Sequence, residues 1–170
     1  ISEAAVVTPT VVASITTNAA ITVVDGADMA FGTWFLVFRN ADLFSVHLDT
    51  LGAVSAVGAL GGTNSLAIET LAGPVNGTVT VSLPAGLNNV ILNMQRAAIT
   101  DFTDAGLTLN AVTYDTATEA PTVMTALTNY PVTVVTGGVA ETVTFGADVD
   151  VTATPADATH TGSFVVSFAY

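Results

Sequence analysis

Apolar and polar residues alternate along the opening stretch AAVVTPTVVASITTNAAITVV, residues 4–24. Every second position gives Ala5, Val7, Pro9, Val11, Ala13 and Ile15, then Thr17, Ala19, Ile21 and Val23, and most positions between are Thr, Ser or Asn. A period of two marks a strand with one buried face. At about 3.3 Å per residue the stretch would extend roughly 65 Å. A compact chain of this length has a radius of gyration of about 15 Å and a width of about 35–40 Å. One strand of its own domain cannot use all of that length. Either the segment leaves its domain, or it divides into two strands joined near Thr16–Asn18.

The same period recurs downstream. DMAFGTWFLVF (28–38) and FSVHLDTL (44–51) are apolar strand candidates separated by the polar break Arg39–Asp42, and a further strand is expected near Ser65–Leu71. In AGPVNGTVTVSLPAG, Asn76-Gly77 predicts a tight hairpin turn because both residues tolerate positive φ. Val79 and Val81 then alternate with Thr78, Thr80 and Ser82 until Pro84 ends the run. LNNVILNMQRAAITDF (87–102) fits a helical stripe through Leu87, Val90, Ile91 and Met94 or a strand through Val90, Leu92 and Met94; its β-like neighbours favour the strand. Runs at 105–116, 130–137, 140–153 and 161–170 complete eight to ten strands. Abundant Thr and Val with Gly, Pro and Asn punctuation predict an all-β, antiparallel sandwich.

Composition narrows the partners. Hydrophobic residues make up 51% of the 170 residues and charged ones 9%, with a net charge of −12. Lysine is absent, and Arg39 and Arg96 are the two arginines. Nucleic-acid binding needs cations that displace phosphate counterions, so no nucleic-acid partner is expected, nor docking on anionic lipid. Without lysine no isopeptide cross-link can form. Without cysteine there is no disulfide, thiolate chemistry or Cys-ligated metal. The least charged windows, 50–68 and 120–140, are broken by Gly, Asn and Pro, so no membrane-spanning helix is expected. The chain opens on Ile1 and has the lysine-free, Thr/Val/Ala-rich character of a mature exported protein. The expected location is extracellular or on the cell surface, after signal-peptide removal.

Three segments carry a resemblance. ITVVDGADMAFGTW resembles an early "strand, then L-x-F-G" element, NGTVTVSLPAG a mid-chain "x-Y-x-I-x-L-P" strand, and GGVAETVTFGADVDVTATPADATHTGSFVVSFAY an ending built on "F-x-V-G-G" and "G-x-Y-x-G-x-F-x-V-x-V-x-Y". The family is one of secreted bacterial β-domains without assigned function, similar to spore-coat-protein-U-like fimbrial subunits. It departs at His160, where Tyr is common, at Phe145–Ala147, which replaces Gly-Gly, and throughout 35–73. The resemblance implies an immunoglobulin-like sandwich with an extended N-terminal strand. It also implies the partners of a pilus subunit: further copies of itself, a periplasmic chaperone and an outer-membrane assembly protein.

Function is expected to follow from the two ends of the chain. The last run puts Phe164, Val166, Phe168 and Tyr170 on one face. In pilus-type subunits such a strand borders an acceptor groove that a neighbour's extended segment fills by adding a strand. Residues 1–16, with Ala5, Val7, Pro9, Val11, Ala13 and Ile15 as the donor face, are the expected donor-strand extension, and residues 17–170 the pilin-like β-sandwich domain. Pro9 is tolerated at an edge or non-bonding position. The expected function is a non-enzymatic structural subunit of an extracellular filament assembled by donor-strand complementation. The alternative is a monomeric surface or adhesin module that binds carbohydrate, for which Trp34 is the sole tryptophan and reads as core. A small outer-membrane barrel is a weaker third, since aromatics make up only 7%.

Little chemistry competes. His47 and His160 have no companion histidine nearby, so no zinc site or other cofactor is expected. Asp157, His160 and Ser163 lack a nucleophile-elbow context. Asp148/Asp150 and Asp101/Asp104 offer hard oxygen ligands for calcium but miss the D-x-[DN]-x-[DN]-G pattern. Asn76-Gly77-Thr78 matches the N-glycosylation pattern.

Overall fold

The computed structural model describes residues 2–7, 10–15, 21–37, 44–57, 68–70, 73–153 and 159–170. Within these the protein is all-β, with strands and turns and no helix. The strands are β1 (Ser2–Val7), β2 (Thr10–Ile15), β3 (Thr22–Asp25), β4 (Gly32–Val37), β5 (Phe44–Leu48), β6 (Val54–Val57), β7 (Ile68–Thr70) and β8 (Gly77–Ser82). They continue as β9 (Val90–Arg96), β10 (Leu107–Asp115), β11 (Thr122–Met124), β12 (Tyr130–Val134), β13 (Glu141–Val151), β14 (Thr159–His160) and β15 (Ser163–Ala169). Residues 87–102 thus yield a strand, and inward Leu92, Met94 and Arg96 alternate with less buried Asn93 and Gln95. The helical stripe loses because only the period of two gives this segment a buried face within a sheet.

Three sheets form. One runs β14–β1–β4–β7, the second β11–β10–β13–β5–β6 with β8 also on β13 and β3 on β8, and the third β12–β9–β15–β2. Pairing is antiparallel except for β1 with β14 and β2 with β15, which are parallel. Both exceptions join the start of the chain to its end. The second and third sheets face each other across a common core: Phe145 of β13 meets Phe164 of β15 edge-on at 5.6 Å, and Tyr114 of β10 meets Tyr130 of β12 at 5.6 Å. Tyr114 is buried with its hydroxyl donating to the Pro131 carbonyl at 3.1 Å, so the ring is buried without an unpaired polar atom. Each such aromatic contributes about 1.5–3 kcal/mol by leaving water.

β13 is the axis of the large sheet. On one edge it pairs with β10 along most of its length; on the other it pairs first with β8, through Glu141–Phe145, and then with β5, through Ala147–Val151. Two strands therefore abut end to end along one edge, and the junction falls at Gly146. A Cβ there would lie 2.3 Å from the Leu48 carbonyl oxygen, so only glycine lets the β5 backbone pass. Asn76 clips the junction: its Nδ2 donates to the carbonyls of Asp49 at 2.6 Å and Phe145 at 3.0 Å.

That placement overturns the hairpin turn expected at Asn76-Gly77. Neither residue has a positive φ; Val75 bridges Ala30, and Gly77 opens β8 opposite Phe145. The antiparallel ribbon made by β3 and β8 continues through Gly26, Ala27 and Ala30 against Thr78 and Val75. The dipeptide is used for what its side chain and its small size offer, rather than for left-handed backbone. A tight turn does occur at Pro84–Leu87, where Leu87 N–H reaches the Pro84 carbonyl at 3.3 Å and Gly86 takes φ 94°.

Arg96 is a buried cation at the end of β9. Its Nη atoms donate to the carbonyls of Ala97 at 2.9 Å and Met124 at 3.0 Å, and among the described residues its Nε has no partner and no carboxylate pairs with it. Burial lowers its pKa, and Tyr130 opposes that shift. The guanidinium thereby fixes the 124–130 connection, where Leu127 is held at φ 59° with its N–H on the Arg96 carbonyl at 2.8 Å.

Candidate functional site

The edge of the terminal strand is the candidate site, because both halves of the predicted donor–acceptor pair come together there. Along β15, Ser163, Val165 and Ser167 alternate with fully buried Phe164, Val166 and Phe168. One side of β15 pairs antiparallel with β9, through Val166↔Arg96 to Ala169↔Asn93. The other side carries β2 in parallel, with Val11↔Phe164, Ala13↔Val166 and Ile15↔Phe168. Three of the six predicted donor positions, Val11, Ala13 and Ile15, thus share rungs of one ladder with three of the four predicted acceptor positions.

The strand on that ladder belongs to the same chain. The edge expected to lie open for a neighbour is filled by the protein's own Thr10–Ile15, and residues 2–7 and 10–15 are strands of its sheets rather than a free extension. The surplus length of the opening stretch goes into a change of sheet. β1 lies between β4 and β14, placing Ala5 opposite Trp34 and Val7 opposite Gly32 and His160, and β2 lies in another sheet altogether. Pro9 falls between the two strands and lies outside the described residues. Tyr170 departs from the expected groove lining: it follows the end of β15 and is 47% exposed. The period of two predicts its face, but the strand stops before it.

The other singled-out residues have structural partners. His47 Nδ1 contacts Asp148, and Ser45 Oγ donates to Asp150, across the β5–β13 ladder. Asp150 also accepts from Asn110 Nδ2 at 3.0 Å, where a bulge in β10 turns the Asn outward. Asp101 accepts the N–H groups of Phe102 and Leu109, and Asp104 that of Gly106, so these carboxylates pin the loop into β10. Among the described residues no group of three His, Cys, Asp or Glu side chains gathers around a common point. His160 is buried, 4.0 Å from Asp104; Asp157 lies outside the described residues. The Asn76 amide nitrogen that a glycan would occupy is already committed to two carbonyls.

Glu119 is a cluster that sequence reading missed. Burial alone would raise its pKa, but hydrogen bonds from the Thr116, Thr118 and Thr133 hydroxyls and the Thr133 N–H outweigh that and hold it below the usual carboxylate value. Its signal was the T-x-T-E run at 116–119, a local capping pattern.

No family model matches the chain, and no curated protein matches it. The resemblance to fimbrial subunits rests on the quoted motifs alone. Among the described residues no helix is long and apolar enough to cross a membrane.

Proposed function

We propose that the protein is a structural subunit of an extracellular filament, in which the segment carrying Val11, Ala13 and Ile15 is exchanged between neighbouring copies. One observation carries the reading: those three residues stand in register with buried Phe164, Val166 and Phe168, on a strand that among the described residues is outermost and held in its sheet by a single neighbour. A second copy can supply an identical strand to the same edge, with the same ladder and the same side-chain levels.

Exchange recovers the contacts it gives up, so it has no large driving force of its own. Burying a valine and an isoleucine side chain would be worth about 3–6 kcal/mol together whichever copy supplies them. That is no more than the cost of association, about 4–15 kcal/mol. Growth therefore requires that β2 be kept off its own edge until a neighbour arrives. A chaperone that occupies the edge of β15 would do this, and the low charge of residues 4–24 suits such a hand-over.

The chain has no cysteine, which makes the test direct. Val12 and Val165 are register partners, close enough as cysteines for a disulfide. In the double variant Val12→Cys/Val165→Cys, assembled material run on a non-reducing gel is expected to give a ladder of covalent multimers. Filaments in the electron microscope that yield only monomers, or no filaments under any assembly condition, would overturn the proposal.

A further inference from the structure

Beside the filled edge, the outward face of the third sheet forms a hollow of about 250 Å³ lined by Asn93, Gln95, Asn129, Ser167, Ala169 and Tyr170. Its chemistry is unlike the rest of the molecule. The chain carries −12, yet among the described residues no charged side chain lines this hollow. What lines it is three amides, a hydroxyl, a methyl group and one phenol ring.

The amides are incompletely used. Gln95 Nε2 donates to Asn129 Oδ1 at 2.5 Å. That bond leaves Gln95 Oε1 as an acceptor and Asn129 Nδ2 as a donor, and among the described residues the Asn93 amide and the Ser167 hydroxyl make no side-chain hydrogen bond. Asn93 and Gln95 stand two residues apart on β9, opposite Ala169 and Ser167 of β15. Their alternation with buried Leu92, Met94 and Arg96 locks them onto the outer face. The lining amides and hydroxyl offer donors and acceptors that suit sugar hydroxyls, each of which both donates and accepts; Asn93 and Gln95, roughly 6–7 Å apart along the strand, reach separate hydroxyls of one ring. Tyr170 adds an exposed ring face, an apolar surface for the C–H groups of a pyranose.

The geometry points to a binding site for one neutral pyranose ring, with Asn93, Gln95, Asn129 and Ser167 hydrogen-bonding its hydroxyls and Tyr170 packing against its face. Neutrality follows from the field: a uronate or sialate would approach a strongly acidic protein with no cation in the hollow to receive it. The volume lies below the 300–1,000 Å³ range of pockets for drug-sized ligands, so a single ring is accommodated. This site does not depend on the filament reading.

The test is an NMR titration of the ¹⁵N-labelled protein with D-galactose, D-mannose, N-acetyl-D-glucosamine and D-glucuronate, following the side-chain amide signals. One ring in an open hollow is expected to bind with Kd of about 1 mM or weaker. At least one neutral sugar should shift the amides of Asn93, Gln95 and Asn129, and glucuronate should not. Tyr170→Ala and Asn93→Ala should each weaken binding roughly fivefold or more with unchanged melting temperature, while Tyr170→Phe retains it. Absence of shifts with all three neutral sugars, or shifts indifferent to both alanine variants, overturns the assignment.

Discussion

Replacing Asn76 by Ala tests the junction on β13. The amide holds two carbonyls, Asp49 at the end of β5 and Phe145 on β13, at the point where β5 and β8 meet along one edge. Each hydrogen bond is worth about 1 kcal/mol net, and the Asp49 carbonyl keeps only the longer bond from the Gly52 N–H at 3.3 Å, so about 2–3 kcal/mol is expected to be lost. For a chain of this size that corresponds to a fall in melting temperature of about 5–10 °C. Urea unfolding followed by circular dichroism should show a lower midpoint with unchanged slope, since the surface exposed on unfolding is the same. Asn76→Asp is the sharper arm. It sets a carboxylate against two carbonyl oxygens, which raises its folded pKa, so at neutral pH it should cost more than Ala, with part of the loss recovered as pH falls toward about 4 and the acid regains a donor proton. A loss under about 0.5 kcal/mol for Asn76→Ala would refute the clip, because no surface side chain with two such contacts should be that silent.

Gly146→Ala drives a Cβ to within 2.3 Å of the Leu48 carbonyl and is expected to cost about 3 kcal/mol or more in urea unfolding, since backbone must move. Leu127→Gly removes a bulky side chain from φ 59° and should raise the urea midpoint by about 0.5–1 kcal/mol in stability. Glu119 has a folded pKa below its unfolded value, so its contribution is present above about pH 4.5 and lost as pH falls through the folded value; Glu119→Gln should flatten that part of the stability profile. Tyr114 is shifted the other way, by burial first and then by Glu119 and Tyr130. Its contribution is full below about pH 10 and lost as pH rises through the folded value, and absorbance titration at alkaline pH should show one late-ionising tyrosine that Tyr114→Phe removes.

Strands with a buried face were legible wherever Thr or Ser alternates with Val, Leu or Phe, as in β8, β13 and β15, because local period and burial coincide there. What the period cannot give is the partner. Val11, Ala13 and Ile15 carry the right parity for Phe164, Val166 and Phe168, yet parity is the same for a strand of the same chain and for a neighbour's. Asn76-Gly77 misled for a related reason: turn propensity describes the backbone alone, and the deciding interactions are long-range ones to Asp49 and Phe145. The hollow of Asn93, Gln95 and Asn129 was invisible because its residues come from β9, β15 and a loop, and only the register brings them together.

The two parallel pairs tie the first residues to the last, and this has a consequence in time. Thr10–Ile15 finds its β15 ladder only once Ser163–Ala169 has been made, so this pairing must wait for nearly all of the intervening residues. Until then that segment, alternating and uncharged, lacks the β15 edge and is open to any helper that offers one.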